Sequence, residues 1–135
     1  MYSVSADINI KASPATIFHT LTNQDLLSKW FAPQVIAVPV EGTVAAFAFE
    51  FDLNFKMELS TLIPGKLVRW VCVDGYNDWL DTEVIFKLTE QPGFTKLAFS
   101  HNKLKNDDKK EKTGVSWQNY LARLKELCET SSVIP

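Results

Sequence analysis

The side chains that could carry chemistry are few in this sequence, and their spacing does not assemble a reactive group. His19 and His101 stand far apart, without the spaced carboxylates or thiols that would complete a metal site. Glu58 and Glu83 fall at strand positions that alternation places toward solvent, which argues against acid–base catalysis in a pocket. No phosphate-binding glycine loop, zinc-protease helix motif or nucleophile elbow is present. We therefore predict no catalytic residue, no metal and no cofactor.

His101 is the polar side chain that the pattern places inside the protein. It ends a strand whose same face carries Leu97 and Phe99. One interpretation is a polar anchor that exchanges a hydrogen bond with the head group of a ligand. The other is a hydrogen-bonded histidine of an ordinary core, which is the commoner arrangement. Tyr120, and Arg69 if it faces inward, could orient the polar end of a ligand in the same way.

The first third of the chain predicts a strand followed by two short helices. Residues 2–11 alternate between apolar and polar side chains, which is typical of a half-buried strand. Ser13 can cap the free amides of a helix, and Pro14 suits its first position. Residues 25–31 predict a second short helix, which Pro33 ends.

The rest of the chain predicts a meander of strands and a long final helix. Turn signals, among them Asp52-Leu53-Asn54, separate strands predicted at 44–51, 55–63, 66–73, 80–89 and 95–101. Residues 103–112 are charged and poor in apolar side chains, which predicts a solvated loop. Thr113 or Ser116 would then cap a helix whose apolar stripe runs to about Glu129.

Alternation also predicts which side chains face inward, because burying an unpaired charge is costly. Residues 66–73 leave two possibilities: either Trp70 points inward or Arg69 does, and we favour Trp70 since the alternative buries a guanidinium. Trp30 and Phe31 end the second helix, as a lid over a hollow or as a packing plug. The residues predicted to line a ligand-binding hollow are Trp30, Phe47, Phe49, Phe51, Met57, Trp70, Val84, Phe86, Leu97, Phe99, His101, Trp117, Tyr120 and Leu121.

Composition narrows the class of protein. The 135 residues are 46% hydrophobic, which suits one domain, 1–135, with one core. A formal net charge of -2 provides no basic surface for nucleic acid, and no apolar run is long enough for a membrane span. Cys72 and Cys128 are far apart in sequence, so we expect two unpaired thiols in a reducing, cytoplasmic setting.

The order of these elements resembles the helix-grip layout of START-like and birch-pollen-allergen-like domains, also called the SRPBCC superfamily. Within that superfamily the sequence is more similar to the branch named for the heat shock protein 90 ATPase activator. The residues that carry the resemblance are Ile10-Lys11-Ala12-Ser13-Pro14, Ile17-Phe18, Leu21-Thr22, Leu27-Ser28-Lys29-Trp30-Phe31, Pro64-Gly65-Lys66-Leu67-Val68, Trp70, Thr82-Glu83-Val84, Phe86, Thr95-Lys96-Leu97, His101, Trp117, Tyr120-Leu121 and Leu124.

The resemblance implies an α+β fold in which a curved antiparallel sheet surrounds a long C-terminal helix. It also implies a hydrophobic cavity between sheet and helix, which the superfamily uses for lipids, polyketides and other apolar molecules. The leading hypothesis is therefore non-catalytic binding of a small apolar molecule. One alternative is a protein-interaction module related to the chaperone activator, although the eukaryotic co-chaperone binds the chaperone through an extra N-terminal domain for which this chain has no room. Another is a small cyclase or lyase. The oligomeric state is open.

Overall fold

One antiparallel sheet and three α-helices make up the described part of the protein. The structure, a computed structural model, describes residues 1–50, 53–75 and 77–133, with side chains as far as residue 130. The strands are β1 (Tyr2–Ile10), β2 (Gln34–Ile36), β3 (Val44–Ala48), β4 (Asn54–Ile63), β5 (Leu67–Asp74), β6 (Glu83–Gln91) and β7 (Phe94–Leu104). The helices are α1 (Pro14–Thr22), α2 (Gln24–Trp30) and α3 (Lys110–Val133).

The seven strands of the described residues pair in the order β1-β7-β6-β5-β4-β3-β2. All pairings are antiparallel, and β1 joins the last strand rather than its neighbour in sequence. The register of β4 against β5 shifts between Lys56 and Met57 and again between Leu59 and Thr61. Such bulges bend and twist a strand, which helps the sheet to curve around α3. The predicted α+β helix-grip fold is confirmed.

Helices α1 and α2 begin as local sequence signals require. Ser13 Oγ accepts a hydrogen bond from the Thr16 amide at 3.1 Å, and Pro14 occupies the first turn of α1. Asn23 ends α1 and caps α2, since its Oδ1 accepts from the Leu26 amide at 3.1 Å. The indole of Trp30 donates to the carbonyl of Thr20 at 2.9 Å, which holds α2 against α1.

The predicted inward faces of the strands are confirmed. Trp70, Val68 and Cys72 are fully buried, so the favoured assignment of residues 66–73 is right. Arg69 lies on the outer face, where its Nη2 is 2.7 Å from Oε2 of Glu83. This hydrogen bond lowers the pKa of Glu83 below its ordinary value. Because Arg69 is paired with Glu83 on the outer face of the sheet, it cannot orient a ligand on the concave face.

The charged segment 103–112 was the main error in the predicted secondary structure. Strand β7 continues through Leu104, a 3-10 turn covers Asp107–Lys109, and α3 begins at Lys110. Thr113 is therefore a buried residue inside the helix rather than its cap, and Ser116 lies a turn further in. Lysine and glutamate are good helix formers, so a helix can begin at Lys110 although the segment has few apolar side chains.

Smaller differences concern strand ends. β3 ends at Ala48 and β6 begins at Glu83, both inside the predicted ranges. Phe51 and Asp52, which the sequence placed in a lining position and a turn, lie outside the described residues.

Candidate ligand-binding groove

The predicted lining residues come together, but most of them meet as a packed core. Their side chains line the concave face of the sheet and the facing sides of α2 and α3. Eleven of the fourteen are 3% exposed or less: Trp30, Phe47, Met57, Trp70, Val84, Phe86, Leu97, Phe99, His101, Trp117 and Leu121. Phe49 and Tyr120 are only partly buried. The centre of the predicted hollow is thus occupied by the protein's own rings.

Phe31, which follows the last residue of α2, fills much of that centre. Its ring centroid lies 5.1 Å from that of Phe47, 5.5 Å from that of Trp70 and 5.6 Å from that of Trp117. It also contacts Tyr120 edge to face at 5.1 Å. With an exposure of 3%, Phe31 is a packing plug in this structure rather than an open lid.

His101 uses both ring nitrogens inside the protein. Its Nδ1 accepts from Trp117 Nε1 at 3.0 Å, and its Nε2 lies 2.8 Å from Thr82 Oγ1. Because an indole can only donate, Nδ1 carries no proton and Nε2–H must donate to Thr82. The Thr82 hydroxyl then donates to the carbonyl of Trp79 at 2.5 Å. Burial lowers the pKa of His101 to about 3, so the ring is neutral at pH 7.

Trp70 contributes a second polar atom to the interior. Among the described residues, its Nε1 is the buried side-chain nitrogen or oxygen that has no hydrogen-bond partner. A lyase or cyclase would need two converging polar groups in the hollow. Both ring nitrogens of His101 are engaged by Thr82 and Trp117, so His101 offers no free nitrogen to pair with Trp70 Nε1 in such a role.

Open space lies at one end of the core, where the first turns of α3 approach the β3–β4 connection. Here a groove of about 270 Å³ is bounded by Phe49, Leu53, Phe55, Trp79 and Tyr120. Trp79 stacks on Phe55 with a centroid distance of 4.7 Å, and on Trp117 at 5.9 Å. The groove therefore continues the aromatic core to the surface.

Polar side chains form the other wall of the groove, and all of them lie at or near the start of α3. These are Lys109, Lys112, Thr113 and Ser116. Thr113 Oγ1 is 3.0 Å from the hydroxyl of Tyr2, which ties this part of the helix to β1. Burial raises the pKa of Tyr120, so its hydroxyl keeps its proton at neutral pH.

The sequence analysis predicted Phe49 and Tyr120 as lining residues, but it did not predict the wall from α3. The signal was present: residues 109, 112, 113, 116 and 120 repeat at the spacing of one helical face. The charged side chains of residues 103–112 favour a loop, and a loop interpretation makes no use of this periodicity. The ligand-binding role of the fourteen predicted residues, Phe51 included, stays a prediction.

The fold and this groove define a helix-grip domain. A family model described as Activator of Hsp90 ATPase homolog 1-like protein matches residues 11–129. The chain belongs to this family. No curated protein is significantly similar to it in sequence.

Solved structures agree with this assignment. The Aha1 dimer from Colwellia psychrerythraea is 29% identical, with a TM-score of 0.86 over 96% of this chain and 97% of that one. Protein MLL2253 from Mesorhizobium loti is 19% identical, with a TM-score of 0.79 over 93% of this chain and 96% of that one. DynU16, from the dynemicin biosynthetic locus, is 18% identical, with a TM-score of 0.79 over 96% of this chain and 48% of that one. The last two show the fold alone.

Two further findings concern membrane spans and metal binding. Among residues 1–50, 53–75 and 77–133, no helix is both long and apolar enough to cross a bilayer. In the same part of the chain, no three histidine, cysteine, aspartate or glutamate side chains are grouped to hold a metal ion.

Proposed function

We propose that this protein binds a small, largely apolar molecule without transforming it, and that the molecule enters through the groove beside α3. The observation that carries this proposal is the groove of about 270 Å³, whose wall is a partly exposed extension of the aromatic core. The helix-grip fold supports it, because the superfamily that the sequence resembles binds apolar molecules between sheet and helix. The volume is slightly below the usual range for drug-sized ligands, which favours a small or slender molecule.

The free energy of binding would come mainly from the burial of apolar surface. Each Å² of apolar surface removed from water contributes about 25 cal/mol, and part of this is offset by the lost freedom of the ligand. Phe49, Phe55 and Trp79 provide that surface. These rings already pack on the core, so a ligand would gain contact without having to order them.

The experiment is a calorimetric titration of the protein with 1-decanol, an uncharged probe. Ser116 points into the groove from α3, so Ser116→Phe should fill it and reduce affinity at least tenfold. Asn119→Phe adds the same ring at an exposed position of the same helix that does not line the groove, and it should bind like the wild type. Equal affinity in both variants, or no binding to the wild type, would contradict the proposal.

A second candidate function, a protein-interaction module, is favoured by the exposed apolar side chains around the edge strand β2. Ile36 is 74% exposed, and Val38, Val40 and Val44 are each more than half exposed. An unpaired edge with apolar side chains is a template for strand pairing. The occupant we propose is a second copy of this chain, because the similar Colwellia psychrerythraea protein is described as a dimer.

Sedimentation equilibrium tests this second candidate. Wild-type protein should show a concentration-dependent dimer that Ile36→Lys abolishes. Val115→Lys, which changes a half-exposed valine on α3 away from β2, should leave the dimer intact. A wild type that is monomeric at every concentration would remove this candidate without affecting the groove.

A further inference from the structure

We infer that the groove selects molecules that carry an anionic head group on an apolar tail, such as a medium-chain carboxylate. This rests on the proposed function and narrows the class of ligand. The groove has two chemically different walls. The aromatic wall accepts the tail, and the wall from the start of α3 determines the head group.

The charged side chains on the wall from the start of α3 are all positive among the described residues. Lys109 and Lys112 are the charged side chains among the described residues that line the groove, and no acidic side chain lines it there. Lys112 is exposed, so its ammonium group can stay hydrated while its methylene stem covers apolar surface. The positive end of the 24-residue helix α3 lies beside it and adds to the potential. An anionic head group would therefore be favoured here and a cationic one disfavoured.

The side chains of this wall also become steadily less polar from the start of α3 toward its middle. Lys112, Ser116 and Tyr120 follow one another at four-residue spacing, so they lie on one helical face. They span about 12 Å along the helix axis, at a rise of 1.5 Å per residue. The wall thus changes from a charge to a hydroxyl and then to an aromatic ring over a length comparable to an extended decanoate chain. A molecule that is charged at one end and apolar at the other matches this gradient in one orientation.

The test compares three probes with the same tail: decanoate, 1-decanol and decyltrimethylammonium. Wild-type protein should bind decanoate more tightly than decanol, and decanol at least as tightly as the cation. Lys112→Gln should weaken decanoate about two- to fivefold, as expected for a solvent-exposed ion pair. The affinity for decanol should fall less than the affinity for decanoate, so the preference for decanoate should shrink in this variant. Added salt should reduce the same preference in the wild type.

Lys125→Gln is the matched control. It removes the same charge from the same helix at an exposed position about 20 Å along the axis, beyond the screening length at physiological salt. Its affinity for decanoate should equal that of the wild type. Far-UV circular dichroism of both variants confirms that they are equally folded.

The outcomes separate the two claims. Equal binding of decanoate and decanol, or equal affinities of Lys112→Gln and Lys125→Gln for decanoate, would overturn the inference and leave the proposed function standing. Failure of every probe to bind would overturn both. Decanoate binding that Ser116→Phe does not reduce would place the anion elsewhere and likewise contradict the inference.

Discussion

The indole of Trp117, the imidazole of His101 and the hydroxyl of Thr82 form one directed chain of hydrogen bonds, which ends at the carbonyl of Trp79. Each donor has one acceptor, so the tautomer of the imidazole is fixed by its neighbours. The chain links α3 to the segment that carries Trp79, a wall of the groove. His101 therefore helps to hold Trp79, a wall of the groove, in place through Thr82. Neither of its ring nitrogens is free to contact a ligand.

The buried imidazole predicts a pH dependence of stability. The pKa of His101 is about 3 in the folded protein, against 6.5 for an unperturbed histidine. Between these values the unfolded chain binds a proton that the folded protein does not, so falling pH favours unfolding. The contribution is present in full above pH 6.5 and declines by up to about 1.4 kcal/mol per pH unit below it. Urea denaturation of the wild type at a series of pH values measures this.

Two variants isolate the contribution of His101. In His101→Gln the dependence on pH below 6.5 should become shallower by about one proton, although the variant is less stable by about 1–3 kcal/mol because Trp117 and Thr82 lose their partner. His19→Gln removes the exposed histidine, and the acid loss should persist in it because His101 remains. An unchanged slope in His101→Gln would show that the ring is not held neutral.

Strand alternation predicted that His101 is buried, but it could not choose between ligand anchor and core histidine. Thr82 and Trp117 lie 19 and 16 residues away in sequence, and nothing in local spacing indicates that their polar atoms meet at His101. Burial follows from a period of two residues, whereas partners depend on how separate elements pack.

At the scale of elements, the strands and the two short helices were predictable because each has a local cause. Capping residues, alternation and glycine turns act within a few residues of one another. The role of Phe31 and the start of α3 were harder to predict from the sequence. Whether Phe31 plugs the hollow or covers it depends on the space left by Phe47, Trp70 and Trp117, and sequence does not give that volume.

The turn after β5 provides a prediction about the groove wall. Gly75 has φ +125, and a Cβ there would lie 2.5 Å from the carbonyl oxygen of Asn54 and 3.0 Å from Cα of Phe55. Gly42 has φ +87, with no atom within 4 Å of such a Cβ. Gly42→Ala should cost about 1–2 kcal/mol from backbone conformation alone. Gly75→Ala should cost clearly more and should also weaken decanol binding, since Phe55 is displaced.

Thermal and urea denaturation of the two alanine variants measure the difference, and calorimetry measures the binding. Equal losses of stability in Gly75→Ala and Gly42→Ala would mean that the chain after β5 does not lie against the start of β4 as described.

At the scale of the whole molecule, the core protects both thiols. Cys72 and Cys128 are unpaired and fully buried, as the sequence predicted. Burial raises the pKa of each thiol to about 11. Cys72 lies on β5, and Cys128 lies near the end of α3, so the two sample different parts of the core.

Thiol titration at pH 8 should therefore show little reaction in the native protein and two equivalents after denaturation without reductant. The thiolate, which is the reactive form, is scarce at this pH when the pKa is about 11. Rapid reaction of either thiol with native protein would contradict the packing around it, and fewer than two equivalents after denaturation would contradict the unpaired state.

The pairing of β1 with β7 has a consequence for the chain as it is synthesised. Ile8 pairs with Leu97, so β1 leaves the ribosome before its partner strand, which is made roughly 90 residues later. At typical rates of translation, this delay is on the order of 5 to 20 s. During that time the apolar face of β1 has neither its strand partner nor α3 to cover it. The closure of the whole sheet therefore has to await the synthesis of β7 and α3.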